Sequence, residues 1–369
     1  MHIVQILPAL DEGGVERGTV ELNREYVRRG VTSTVISSGG RLAEIIALDG
    51  GRHIKLDVKS KSLLTAPARA FELRRVLSQV KPDLVHYRSR VPGWLFAFAN
   101  RALRLPFVST VHGFNSVSAY SRIMTAGQRV ICPSTAIIDF IRQNYGTPME
   151  KIRLVYRGLD PHLFDPSKID TAFVSEFRRK RGLEGRFVVL GVGRIAPLKG
   201  YDVLIRATAL VRERLPQIKT VIVGGAEAAR AGYELELKRL VEALGVGDRV
   251  TFAGSQSKIA EIYACGNVLV SANTAKPEAF GRSMAEALAM GCPVIATRFG
   301  GALDIIKENV NGWFIEPGGA AAQLADCLVK ASQTTFAGLR EDALARFSLD
   351  GMVTQTLAVY DEVLKEKVV

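Results

Sequence analysis

Two glutamates, Glu278 and Glu286, stand eight positions apart in PEAFGRSMAE (277–286), around an aromatic residue and a glycine. On one continuous helix that spacing separates the side chains by about 80° and about 12 Å of rise. They cannot share a proton, so a ligand that uses both must be long. Pro277 disfavours helix just before Glu278, whereas SMAEALAM (283–290) favours it strongly, so loop gives way to helix near Gly281. The N–H groups around Gly281 to Ser283 then point at an anion, with one carboxylate before the helix and one within it. A polyhydroxy group, a diphosphate and a second sugar in line fit that order, which is the layout of a nucleotide sugar.

Three other stretches carry residue types suited to the same ligand. In GVGRIAPLKG (191–200), Arg194 offers a fork and Lys199 a point charge to a diphosphate, unless both are plain surface cations. In VSTVHGFN (108–115), His112 follows an apolar strand and could bind a hydroxyl, donate to an oxyanion, or sit as a structural histidine. His86, in DLVHYRS, reads as structural. In ALDEGGVER (9–17), Gly13 and Gly14 allow close backbone approach at a helix start. A tight turn explains the same two glycines. Asp11 and Glu12 beside them could receive acceptor hydroxyls or cap the helix.

The elements that position these residues alternate. HIVQILP, VTSTVISS, RHIKLDV, DLVHYRS, FVSTVHG and RVICPS read as strands, separated by amphipathic stretches such as VERGTVELNREYVRR and APARAFELRRVLSQV. The alternation restarts with RFVVLGVGR, KTVIVGG, RVTFAGS, NVLVSAN and PVIATRF. The polar segment 159–185 between the two series reads as a linker, and SLDGMVTQTLAVYDEVLKEKVV as a closing helix with Ser348 or Asp350 as its cap. The implied class is α/β, with two doubly wound, Rossmann-like domains in tandem, and ligands of such sheets bind beyond the carboxyl ends of the strands.

Composition narrows the partners. The chain has 369 residues, room for two cores, and no apolar run of 18 residues. MHIVQILP lacks a basic lead and a cleavage site, so a cytoplasmic protein is expected. Cys132, Cys265, Cys292 and Cys327 are scattered, without metal-like grouping, and read as reduced, buried thiols. The net charge of +12 is uneven: residues 1–165 hold 23 Lys and Arg against 14 Asp and Glu. That field suits nucleic acid, an anionic membrane or a phosphorylated substrate. Lys55, Lys59, Lys61, Arg69, Arg74 and Arg75 cluster in sequence. Trp94, Phe96 and Phe98, at helical spacing, read as core.

PEAFGRSMAEALAMGCPVIATRFGGALDIIKENVNGWFIEPGG resembles the donor-site signature of retaining glycosyltransferases of family 4, which have the GT-B fold. GG-x-ER, VHG, GRIAPLKGYDVLIRA, RVTFAG and the last helix follow in the family's order, across nearly the whole chain. The resemblance implies two Rossmann-like domains facing across a cleft. The first, acceptor-binding, spans 1–165 and is completed by a helix 350–369 crossing back to it; the second, donor-binding, spans 166–349. It implies that Glu278 binds hydroxyls of the transferred sugar with the amides of Phe280 and Gly281. The Arg282 and Ser283 amides, with Arg194 and Lys199, would hold the diphosphate. Glu286 would accept the ribose hydroxyls, Gly14 would close the diphosphate pocket, and His112 would lie near the sugar's 6-hydroxyl.

The activity so implied is transfer of a hexose-type sugar, from the family's customary UDP-linked donor, with retention, no cofactor and no metal. The acceptor would be a glycan or lipid-linked sugar of lipopolysaccharide, glycolipid or surface polysaccharide synthesis. The basic first domain adds a peripheral position on the inner face of the cytoplasmic membrane. Two rivals are a sugar-nucleotide 2-epimerase of related fold, whose acid/base set has no place in this chain, and a nucleic-acid-binding protein, which charge alone favours.

Overall fold

The computed structural model describes residues 1–11, 13–225, 231–273, 276–318 and 321–366, the side chain of Ala231 excepted. The chain divides into two compact units, Met1–Gly158 with Leu349–Val369, and Leu159–Ser348.

Seven parallel strands form the sheet of the first unit: β1 (His2–Ile6), β2 (Thr32–Ser37), β3 (Arg52–Lys55), β4 (Leu84–Tyr87), β5 (Phe107–Thr110), β6 (Arg129–Cys132) and β7 (Ile152–Leu154). Their order is β3-β2-β1-β4-β5-β6-β7. The strands are apolar runs because helices cover both faces: Ile3, Val4, Gln5 and Ile6 of β1 have no exposed surface. Each crossover carries its own start and stop signals. The Thr135–Tyr145 helix begins where the Ser134 hydroxyl accepts from the Ile137 amide, and ends at Gly146 with φ 63°.

The closing helix, Leu349–Glu366, belongs to this first unit. Val353, Val359, Tyr360 and Val363 join a core with Ile3, Leu22, Tyr26, Leu84 and Val108. The Tyr360 hydroxyl meets Tyr26 Oη at 2.9 Å and His86 Nδ1 at 2.7 Å. Arg129 and Arg153 both reach Glu362, at 3.1 and 2.6 Å. Such a buried polar contact fixes the helix in one register, because a shifted register would leave the histidine and phenol unpaired.

The second unit holds six parallel strands: β8 (Phe187–Val192), β9 (Ile218–Val223), β10 (Val250–Gly254), β11 (Val268–Ser271), β12 (Val294–Thr297) and β13 (Gly312–Ile315), in the order β10-β9-β8-β11-β12-β13. Its core gathers Val189, Leu204, Ile205, Ile222, Ile295, Trp313 and Leu324. All four cysteines are buried and free.

Three features differ from the sequence reading. β7 and β13 were not singled out; each is the last strand at an edge of its sheet, three and four residues long. The polar segment 159–185 is built into the second unit, with Leu159 and Leu183 fully buried and the Thr171–Arg181 helix capped by Asp170. That helix buries one residue, Phe177, so its sequence looks like a solvated connector. In the Arg90–Leu103 helix, Phe96 is core but Phe98 is 49% exposed.

Candidate functional site

Strand order reverses direction in the second unit between β8 and β11, where a doubly wound sheet opens a crevice at its carboxyl edge. The loop after β8 carries Arg194, which is exposed, then a short turn Pro197–Lys199 and Gly200. Gly200 has φ 66°, and a Cβ there would lie 1.7 Å from the Ala272 carbonyl oxygen just past β11. Glycine thus lets the two loops touch, and Lys199 reaches the loop that follows β11. Its ammonium pairs with Glu278 Oε1. Asn273 Nδ2 donates to the same oxygen at 3.3 Å, while Asn273 itself is 3% exposed and accepts from Ser271 Oγ at 3.0 Å.

The Glu278–Phe280 loop is clamped from behind. Gly301 N donates to Glu278 O at 2.8 Å, and a Cβ on Gly301 would lie 2.2 Å from Phe280 O. Gly281, with φ 101°, then opens the Arg282–Ala289 helix without a side-chain cap. First-turn amides have no partner within their own helix, so the start at Gly281, Arg282 and Ser283 offers donors and the positive dipole end to an anion. Glu278 stands before this start. Glu286 lies inside the helix, 8% exposed, accepting from Tyr263 Oη at 2.9 Å and from Arg282 Nε at 3.3 Å. Burial, and next the Glu286 carboxylate, hold the Tyr263 phenol well above its ordinary pKa, so it stays a donor. The second unit therefore brings together Lys199, Glu278, Gly281 and the helix bearing Glu286.

The other candidates belong to the first unit, whose strand order reverses between β1 and β4. Gly13, in extended backbone, precedes the Gly14–Arg28 helix, which has no side-chain cap. Asp11 is exposed beside it, and Glu12 lies outside the described residues. His112 follows β5, with Arg157 Nη2 at 2.5 Å from its Nδ1. A guanidinium can only donate, so Nδ1 accepts and the proton resides on Nε2. That Nε2 is covered and has no hydrogen-bond partner among the described residues. Burial first, then the charges of Arg157, Arg88 and His86, hold His112 well below the usual histidine range. It is a neutral N–H donor and a poor base.

Arg88, 3% exposed, donates to Gln5 Oε1 at 2.9 Å. A cavity of about 20 Å³, room for one water, is bordered by His86, Arg88, Thr110, Arg157 and Thr356. His86 itself spans Tyr360 and Thr110 Oγ1 at 2.7 Å, a structural placement. Asn273, Tyr263, Arg88 and Arg157 were not singled out from the sequence. Arg88 directly follows β4 and Asn273 lies two residues past β11, so the rule of inspecting each strand's exit would have found them; Tyr263, inside a helix, and Arg157, past the unread β7, bear no such signal. Burial pushes the Cys132 and Cys292 thiols up to about 12, which leaves no reactive thiolate at either. Among the described residues, no group of three or more His, Cys, Asp or Glu could hold a metal ion.

The family profile described as "Glycosyl transferases group 1" matches residues 173–341, and that described as "Glycosyltransferase Family 4" matches residues 12–163. The chain is similar to a D-inositol 3-phosphate glycosyltransferase of Acidothermus cellulolyticus, 29% identical over 77% of this chain and 68% of that one. Among solved structures it is similar to a glycosyltransferase from Rickettsia africae, with TM-score 0.88 and 29% identity over 99% of this chain and 98% of that one. Anabaena HepE, solved in complex with UDP, shares the fold at TM-score 0.85 and 24% identity, over 98% of this chain and 100% of that one.

Proposed function

This chain belongs to glycosyltransferase family 4, with the two parallel-sheet, Rossmann-like units of GT-B enzymes, and we propose that it moves a hexose-type sugar from a UDP-sugar, with retention, to a glycan or lipid-linked acceptor. The observation that carries this reading is the Lys199–Glu278 pair beside the uncapped helix start at Gly281. A cation, a carboxylate and the N-terminal end of a helix converge there, as a sugar followed by a diphosphate requires.

In this reading Glu278 binds the sugar hydroxyls, with the Phe280 and Gly281 amides. Lys199 exchanges its carboxylate partner for a phosphate oxygen and, with Arg194 and the Arg282 and Ser283 amides, stabilises charge on the departing diphosphate. Two fixed cations take the part that a divalent ion plays elsewhere, so the reaction is metal-independent. Glu286, oriented by Tyr263, accepts the ribose hydroxyls. Gly13 and Gly14 approach the diphosphate, and Asp11 with Glu12 receives the acceptor. His112 gives its Nε2 proton as a hydrogen bond to a sugar hydroxyl, a role that suits a neutral imidazole. The acceptor's proton passes to the leaving phosphate, and no side chain becomes covalently attached.

Incubation with a panel of nucleotide sugars, followed by NMR of the anomeric proton, tests the reading. Transfer or slow hydrolysis with retained configuration, unchanged by EDTA, is expected. An epimerised nucleotide sugar would instead establish the 2-epimerase, and loss of turnover in EDTA would overturn the phosphate assignment.

A further inference from the structure

Outside these sites, the first unit presents an apolar face where the Ala66–Val80 and Arg90–Leu103 helices meet. Leu63 and Leu64 are 87% and 95% exposed, Phe71 68% and Phe98 49%. Leu63, Phe71 and Phe98 line a groove of about 430 Å³ floored by Pro67, Ala70 and Ala99. The Ala66–Val80 helix already buries Ala70, Leu73 and Leu77 against its own unit, so Phe71 serves a second face that the fold does not need. Scattered exposed apolar residues are ordinary; three large ones lining one groove, with Leu64 next in the chain, are not.

The exposure is built in. Arg69, 7% exposed, turns away from solvent and donates from Nη1 to Ser60 O at 2.9 Å, from Nη2 to Ser62 O at 2.7 Å and from Nε to Thr65 Oγ1 at 3.1 Å. Asp57 Oδ1 accepts from the Lys59 and Ser60 amides at 3.2 and 3.0 Å. The loop is thereby pinned on both sides of Leu63 and Leu64, which project from it. Arg74 lines the groove, Arg101 holds its guanidinium 5.0 Å from the Phe98 ring centre, and the exposed cations Lys59, Lys61 and Arg75 lie on the same loop and helix. Asp57 and Glu72 are the acids among them, so the rim is net positive.

We propose that this face rests on an anionic bilayer, with Leu63, Leu64, Phe71 and Phe98 entering the acyl boundary and the Lys59, Lys61, Arg74, Arg75 and Arg101 side chains lying at headgroup level. Apolar side chains ringed by cations are what an interfacial segment needs, since burial and attraction to anionic lipid add. A second copy of the chain suits the face poorly, because a two-fold contact would set the same cations against themselves. The inference deepens the acceptor side of the reading above and rests on it for one point, that a sugar acceptor carried by lipid would be met at this surface.

Vesicle flotation of the full chain tests it. Equimolar phosphatidylcholine and phosphatidylglycerol vesicles should carry the protein at low salt, and phosphatidylcholine alone about tenfold less or worse. Leu63→Ser with Leu64→Ser should lower partition by about tenfold or more, and Lys59→Ala with Lys61→Ala by about fivefold per cation removed. These residues are exposed, so the variants should keep the parent's melting temperature and its thermal shift with UDP. That shift depends on the donor site alone, and separates failure of the donor reading from failure of this one. Absence of flotation at low salt, or flotation indifferent to the leucine substitutions, overturns the proposal. So does a concentration-dependent dimer that the leucine variant disperses without any lipid binding.

Discussion

Glu278 faces Lys199 and Asn273, whereas Glu286 faces Tyr263 and Arg282, and these partners give removal of each carboxylate a different consequence. Losing Glu278 leaves Lys199 without its counter-charge, so UDP should bind Glu278→Ala as well as or better than the parent. Transfer should fall by about 100-fold or more, as when a transition-state contact is removed. Glu286→Ala should instead weaken UDP by about tenfold or more, the worth of hydrogen bonds to a charged acceptor. Tyr263→Phe, which deletes one hydroxyl and keeps the ring, should show a smaller part of the same loss. Isothermal titration calorimetry with UDP separates the two carboxylates. Equal losses of affinity in Glu278→Ala and Glu286→Ala would contradict the division of labour between them.

At the scale of elements, the site depends on loops that touch because glycine is present. Gly301→Ala places a methyl group 2.2 Å from Phe280 O and 2.5 Å from Phe280 Cα, so the Glu278–Phe280 loop must shift. Activity should drop by at least about tenfold, since sub-ångström displacement of a positioned group is costly. Gly232→Ala is the control: among the described residues nothing lies within 4 Å of its Cβ, it sits within the Ala231–Ala243 helix, and the change should stabilise by about 0.5–1 kcal/mol without touching activity. Equal activity of the two variants in a sugar-transfer assay would remove the argument for a clamped loop. The sequence displayed some of these elements and hid others for physical reasons. Long strands buried on both faces, such as β1, β8 and β9, appear as apolar runs, and Pro277 with SMAEALAM marks the loop-to-helix change at Gly281. β7 has three residues and β13 opens on Gly312, so neither shows an apolar run like that of the central strands. Arg157 was invisible because its meeting with His112 joins residues 45 positions apart, and Arg69 read as part of a basic surface although its guanidinium is spent on the Ser60–Thr65 loop.

For the whole molecule, pH should act first through the histidines of the first unit. His86 is held neutral by burial, then by the charges of Arg88 and Arg157; His112 likewise by burial, then Arg157, Arg88 and His86. His2 and His53 are lowered too, burial again leading. A histidine whose folded pKa lies below its unfolded value binds more protons when unfolded. The stability tied to it is therefore complete above pH 6.5 or so and is lost as pH falls toward the folded value, by up to about 1.4 kcal/mol per unit for each histidine. Carboxylates held low by their partners, such as Glu362 by Arg153 and Arg129, act in a lower window: their contribution is present above the unfolded carboxylate range and disappears only beneath it. Between pH 5 and 6.5 the slope thus belongs to histidine. The two tryptophans divide between the units, Trp94 in the first and Trp313 in the second, so Trp313→Phe leaves fluorescence that reports the first unit alone. Urea unfolding of that variant should show stability falling as pH drops from 6.5 to 5, and adding His86→Gln should flatten the fall by about 1 kcal/mol per unit, because a glutamine there takes up no proton on unfolding. A flat profile in the parent would mean that the buried histidines accept protons in the folded state, and the assignment of His112 as a neutral donor would fall with it.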